Sequence, residues 1–216
     1  MNFDTAIINF NSSNLHSVKS ACNYVGIKSI ITNRRKDIIN SKSIIIPGVG
    51  AFNKAIDKIK SLDLDKVIKE FADSNKPIFG ICLGMQLLFE YSEEFNKSFG
   101  LGILKGKVKK INNFKKEKIN FPVPHIGWNK IEKNNEWKGT ILEDNKNFEY
   151  MYFVHSFHVI PSDRNIILAK TKYGEANICS VIRSNNIYAT QFHPEKSGEQ
   201  GLKIYKNFKK IIKNNI

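Results

Sequence analysis

Cysteine is scarce in this 216-residue chain: Cys22, Cys82 and Cys179 are all there is, an odd number at irregular spacing. Such a count argues against a disulfide framework and for a reducing, cytoplasmic setting. Long apolar runs are missing too. No segment has membrane-spanning length, and Met1-Asn2-Phe3-Asp4 carries neither the basic nor the apolar region of a secretory signal. Arginine supplies only four of the 34 basic residues, Arg34, Arg35, Arg164 and Arg183. The net charge of +14 therefore comes from scattered lysines. Bidentate reading of phosphates and bases favours arginine, so a compositional bias toward Lys, Asn and Ile explains the charge more simply than a nucleic-acid-binding stripe does. Part of the charge can steer association with an acidic partner surface. No cluster of Cys and His has metal-ligand spacing, and neither a metal nor another cofactor is expected.

What is present is an alternation of short apolar strands and amphipathic helices. Thr5–Phe10 reads as a strand, His16–Val25 as a helix, Ser43–Ile46 as a strand and Asp63–Ala72 as a helix. A strand from Pro77 and a helix from Met85 to Phe89 follow. That order predicts an α/β fold with a central, mostly parallel sheet flanked by crossover helices. From Gly106 to Gln191 the pattern changes to short strands such as Met151–Val154, Ile166–Lys170 and Ile178–Arg183, an antiparallel addition in the second half. The stretches Asn112–Lys118 and Asn134–Asn147 read as polar, charged loops. Helix Glu199–Lys213 closes the chain with an apolar stripe of Leu202, Tyr205, Phe208, Ile211 and Ile212. With no linker and no internal repeat, residues 1–216 are read as one domain.

The segment richest in chemistry is Gly80-Ile81-Cys82-Leu83-Gly84, entered from the apolar run Pro77-Ile78-Phe79 and left through Met85-Gln86-Leu87-Leu88-Phe89. A buried strand turning sharply into a helix, with glycines two positions either side of the turn, describes a nucleophile elbow that presents the Cys82 thiol. A nucleophile needs a base, an orienter for the base and donors for an oxyanion. Of five histidines, His193 lies in Gln191-Phe192-His193-Pro194-Glu195, just past the strand-like Ile187-Tyr188-Ala189-Thr190. Strand ends of an open α/β sheet converge on one edge, so His193 can reach Cys82 and Glu195 can hold the second ring nitrogen. A helix N-terminus and a nearby imidazolium both favour the thiolate form of a cysteine. The oxyanion donors expected are the amide of Leu83 and those of Gly48, Val49 and Gly50 in the loop Pro47-Gly48-Val49-Gly50, which follows the strand Ile44-Ile45-Ile46. Each piece alone has a plain structural explanation, as a core cysteine, a chance tripeptide or a turn. Together, each at a strand end, they point to acyl transfer through a thioester. Cys22 and Cys179 read as core residues.

Gly80-Ile81-Cys82-Leu83-Gly84-Met85-Gln86 with His193-Pro194-Glu195 resembles the class I, triad-type glutamine amidotransferases, whose fold is flavodoxin-like. Within that group, Pro47-Gly48-Val49-Gly50-Ala51-Phe52, Pro124-His125-Ile126-Gly127-Trp128-Asn129, Phe153-Val154-His155-Ser156 and His193-Pro194-Glu195-Lys196-Ser197 are similar to the glutaminase subunits of imidazole glycerol phosphate synthases. The likeness runs from Ile8 to Phe208. It implies hydrolysis of glutamine to glutamate and ammonia. It also implies glutamine contacts for Gln86 and for the backbone of Val154, His155 and Ser156, and a separate cyclase subunit, a TIM barrel, that receives the ammonia in histidine biosynthesis. By the same resemblance, Asn14, Trp128 and Lys196 face that partner.

One segment departs from the family pattern. A glycine-rich loop is usual after the first strand, whereas here it is Asn9-Phe10-Asn11-Ser12-Ser13-Asn14, with only Asn14 matching. Alternatives on the same architecture are a glutaminase feeding a sugar-modifying synthetase of surface polysaccharide assembly, a γ-glutamyl hydrolase, and a noncatalytic binding subunit. Presence of Cys82, His193 and Glu195 disfavours the last.

Overall fold

The computed structural model of the chain describes residues 3–112, 114–116 and 119–215. Its centre is an eight-stranded sheet. Four strands come from the first half: β1 (Thr5–Ile8), β2 (Ser29–Thr32), β3 (Ser43–Ile46) and β4 (Ile78–Ile81). They lie in the order β2-β1-β3-β4, and Ile187–Thr190 pairs in parallel with β4. Ala176–Ser184, Ile167–Tyr173 and Glu132–Lys133 extend this edge antiparallel. The parallel pairing matches the alternating pattern, and its strand order is the flavodoxin-like one that the resemblance implies.

Six helices are described: α1 (Leu15–Tyr24), α2 (Arg35–Asn40), α3 (Phe52–Ser61), α4 (Leu64–Asp73), α5 (Leu83–Leu87) and α6 (Gly198–Asn214). Parallel strands covered on both faces read as unbroken apolar runs, and the pleat sorts their side chains. Ala6, Ile8, Ile44, Ile46 and Ile78 pack with the apolar faces of α2, α3 and α4, including Phe52, Ile56, Ile68 and Phe71. Ile7, Ile45, Phe79 and Ile81 pack on the other side with Val18 and Cys22 of α1 and with Ile204, Tyr205 and Phe208 of α6. Cys22 and Cys179 are buried free thiols, as expected; burial pushes the Cys22 thiol up to about 12.

A smaller sheet of Phe157–Pro161, Leu104–Lys110, Phe89–Ser92 and Ser98–Phe99 and an antiparallel pair, His125–Lys130 with Tyr150–His155, make up most of the added strand region. Several boundaries differ from the sequence reading. The first strand ends at Ile8 rather than Phe10, and Phe89 opens a strand instead of closing a helix. Within the supposed loop Asn112–Lys118, Phe114–Lys116 is a strand paired with Ile119–Phe121, while 113, 117 and 118 lie outside the described residues. The segment 134–147 is built of turns, but Trp137, Ile141 and Leu142 in it are core residues. Its polar composition hid three apolar anchors too irregularly spaced to show a period. Among the described residues no helix is long and apolar enough to cross a membrane.

Candidate active site

The turn after β4 places Cys82 at φ 52°, ψ −108°, a left-handed backbone that a side chain adopts only when its surroundings enforce it. Two constraints do so here. The Cys82 amide donates to the Thr190 carbonyl at 2.7 Å, tying the turn to the neighbouring strand. Gly84 packs backbone against backbone: a Cβ there would lie 1.7 Å from the Ile46 carbonyl oxygen of β3. The elbow is thus wedged between the ends of β3 and Ile187–Thr190.

His193 follows the strand that adjoins β4, which is how a residue so distant in sequence arrives beside Cys82. Its amide donates to the Tyr152 carbonyl at 2.9 Å and its carbonyl accepts the Ser197 hydroxyl at 2.7 Å. The ring Nδ1 meets Glu195 Oε1 at 2.7 Å, with both side chains buried. Asn14, at φ 78° just before α1, donates its Nδ2 to the same oxygen at 2.5 Å. The expected orienter of the histidine is therefore itself held by a residue for which the resemblance implied only a partner contact. Nε2 of His193 is buried with no hydrogen-bond partner. Burial lowers the affinity of this ring for a proton, but the adjacent Cys82 sulfur and the Glu195 carboxylate outweigh it and raise its pKa from 6.5 to about 10.

The remaining buried histidines shift the opposite way. Burial lowers His125 to about 4, His155 to about 3 and His158 to about 4. A raised folded pKa gives stability that is complete below 6.5 and lost as pH climbs through about 10. Lowered ones give stability that is complete above 6.5 and lost as pH falls through about 4. Resistance to guanidinium is therefore expected to peak near pH 6.5, the ordinary histidine value. Denaturation series across pH should show His193→Gln flattening the alkaline side alone and His125→Phe softening the acid side. A decline between pH 6.5 and 9.0, below the range where the buried Cys22 begins to contribute, that survives His193→Gln would contradict the assignment.

A cavity of about 390 Å³ opens onto the thiol, lined by Val49, Gly50, Leu83, Gln86 and the Val154-His155-Ser156 segment. The sequence-derived substrate residues are thus brought together. Two differ in detail from expectation. The Leu83 amide donates to the Gly48 carbonyl at 3.3 Å, so in this conformation one expected oxyanion donor is already engaged by the loop expected to supply the others. Both hydrogens of the Gln86 amide are also taken, by the Phe157 carbonyl at 2.9 Å and Gln191 Oε1 at 3.1 Å, which leaves its carbonyl oxygen to meet a ligand.

Glu94 also lines the cavity, with Lys196 as a charge of opposite sign. Sequence reading missed Glu94, which carries no local signature. Its Oε2 accepts the Phe52 amide at 2.7 Å, at the start of α3 immediately beyond the Gly48–Gly50 loop. Of the residues expected at an interface, Trp128 is 56 % exposed and Lys196 sits at the cavity mouth.

The family described as Glutamine amidotransferase class-I matches residues 6–211. Imidazole glycerol phosphate synthase subunit HisH of Bacillus cereus is 40 % identical over 210 residues, covering 96 % of this chain and 94 % of the relative. That of Bacillus thuringiensis gives the same figures. Among solved structures, one titled as a glutamine amidotransferase superposes with a TM-score of 0.74 at 15 % identity, covering 97 % of this chain and 99 % of the other. PurLQS from Thermotoga maritima gives 0.72 at 16 %, with the same coverage.

Proposed function

The chain belongs to the class-I glutamine amidotransferase family, and from that premise we propose that it hydrolyses glutamine through a Cys82 thioester and supplies the ammonia to a separate cyclase subunit making imidazole glycerol phosphate in histidine biosynthesis. The observation that carries the chemistry is the hydrogen-bonded line from half-buried Asn14 through Glu195 to His193, ending beside the strained Cys82 at a cavity. The 40 % identity to HisH subunits carries the pathway.

In the proposed reaction, His193 takes the Cys82 proton and the thiolate attacks the γ-carbonyl of glutamine. His193 then gives the proton to the departing nitrogen, and Glu195 stabilises the imidazolium meanwhile. Water then cleaves the γ-glutamyl thioester to glutamate. Glu94 and Lys196 supply charges of both signs, which suits the α-ammonium and α-carboxylate of a free amino acid.

The oxyanion hole requires the Leu83 amide to leave the Gly48 carbonyl, with an amide of Val49 or Gly50 turned toward the substrate. Gly50 has φ +107° and open space where a Cβ would be, so the loop can rotate there without a clash. The partner is assigned the role of shifting it, and Asn14, Trp128 and Lys196 are assigned to the contact. Glutamine hydrolysis by the isolated chain should then be at least about a hundredfold slower than in the two-subunit enzyme, the usual cost of one missing oxyanion donor. Equal rates would remove the gating idea. An electrophilic glutamine analogue should label Cys82 in the assembled enzyme, and failure to label it there would remove the nucleophile assignment.

A further inference from the structure

The Cys82 sulfur has a neutral side-chain donor beside it. Gln191 Nε2 lies 3.6 Å from Sγ. We propose that Gln191 is a catalytic residue that donates its amide N–H to the Cys82 thiolate, and that Gln86 and the Phe157 carbonyl lock the amide in that orientation. The proposal rests on Cys82 being the nucleophile and adds to it the group that stabilises the anion besides His193.

The orientation follows from atoms that cannot be reversed. A backbone carbonyl only accepts, so the Gln86 atom 2.9 Å from the Phe157 oxygen is its nitrogen. The second hydrogen of that nitrogen points at Gln191 across 3.1 Å and needs an acceptor, which makes the facing atom Oε1. The Gln191 nitrogen is thereby left on the sulfur side. Gln191 is fully buried, and its own amide is anchored to the Ser180 carbonyl at 2.8 Å.

The Phe157 carbonyl is held in turn. It also accepts from His155 Nδ1 at 2.9 Å. His155 Nε2 is then free to accept from His125 Nδ1 at 3.1 Å, and His125 Nε2 from Asn129 Nδ2 at 3.3 Å. Every donor in this series points the same way, from Asn129 to Phe157. Burial keeps both rings neutral, so no proton change disturbs it near neutrality.

The sulfur has two backers of opposite preference. The Val154 carbonyl, 3.9 Å away, receives the S–H and favours the thiol. Gln191 favours the anion, and being an amide it does so at every working pH. Charged or titratable groups facing this point are His193 with Glu195 behind it, His155 from the Tyr150–His155 strand, and Glu94 and Lys196 from the cavity wall.

The test is the pH dependence of iodoacetamide alkylation at Cys82 in the full chain, followed on its own peptide by mass spectrometry and without glutamine. For Gln191→Met, of similar length and no donor, the midpoint should rise by about one to two pH units, the range expected for losing a hydrogen bond to a charged group. Glutamine turnover in the two-subunit enzyme should fall about 10- to 100-fold with KM nearly unchanged. Gln86→Met leaves Gln191 in place but unlocks it, and its alkylation midpoint should move the same way by less. A folded Gln191→Met with the wild-type midpoint overturns the proposal. If that variant does not fold, a Gln86→Met midpoint equal to wild type overturns it instead. Wild-type Cys82 that alkylates no faster than the buried Cys22 and Cys179, in an enzyme without glutaminase activity, would sink the nucleophile assignment itself.

Discussion

Cys82→Ala in the two-subunit enzyme is expected to lower glutamine-driven synthesis by at least about ten-thousandfold, while synthesis driven by added ammonia continues at the wild-type rate. Removing the nucleophile of an acyl-transfer site costs this much because no other group can form the covalent intermediate. The retained activity separates chemistry from architecture. The thiol is nearly buried, touching the Gln191 amide and the Val154 carbonyl, so alanine deletes one sulfur without opening the sheet. Paired assays with glutamine and with ammonium salts at high pH decide the matter. Loss of both activities would mean that Cys82 chiefly holds the fold or the partner surface.

Gly84→Ala should fail for the opposite reason, through packing alone. An added methyl would sit 1.7 Å from the Ile46 carbonyl oxygen, 2.7 Å from its carbon and 3.4 Å from its Cγ2. None of the backbone atoms can swing aside, since Ile46 pairs with Gly80 in the middle of the sheet. Overpacking of this severity is expected to cost about 3 kcal/mol or more, lowering the melting temperature by about 6–12 °C, and to displace Cys82 enough to remove glutaminase activity. Calorimetry of the variant beside wild type measures the first effect. An unaltered melting temperature would show that the elbow does not need backbone contact with β3.

The parts of this molecule that were legible in the sequence are those where one residue type is demanded by local geometry. Cys82 flanked by Gly80 and Gly84, and the His193-Pro194-Glu195 turn, announce themselves because their conformations admit few substitutes. The parallel strands Thr5–Ile8 and Ser43–Ile46 were readable because burial on both faces makes them continuously apolar. α3 is absent from the sequence reading although Phe52, Ala55, Ile56 and Ile59 form a helical stripe. The pair Phe89–Ser92 with Leu104–Lys110 was missed for a physical reason. These strands have polar faces, and their pairing is parallel and non-local, which no local pattern encodes.

Within the site, Cys82, His193 and Glu195 stand out in the sequence by their motifs, whereas Glu94 and the partnership of Asn14 with Glu195 do not. Both depend on distances across elements far apart in the chain, 42 residues for Glu94 to Phe52 and 181 for Asn14 to Glu195. The engagement of Leu83 by Gly48 is a matter of conformational state, which composition does not record.

Ile126, Trp128 and Tyr150 project from one small antiparallel pair, each more than half exposed, on a chain that carries a surplus of fourteen positive charges. The first feature makes free copies adhesive, and the second keeps them apart by mutual repulsion, a balance that added salt weakens. Colloidal behaviour of the lone polypeptide is accordingly set by ionic strength.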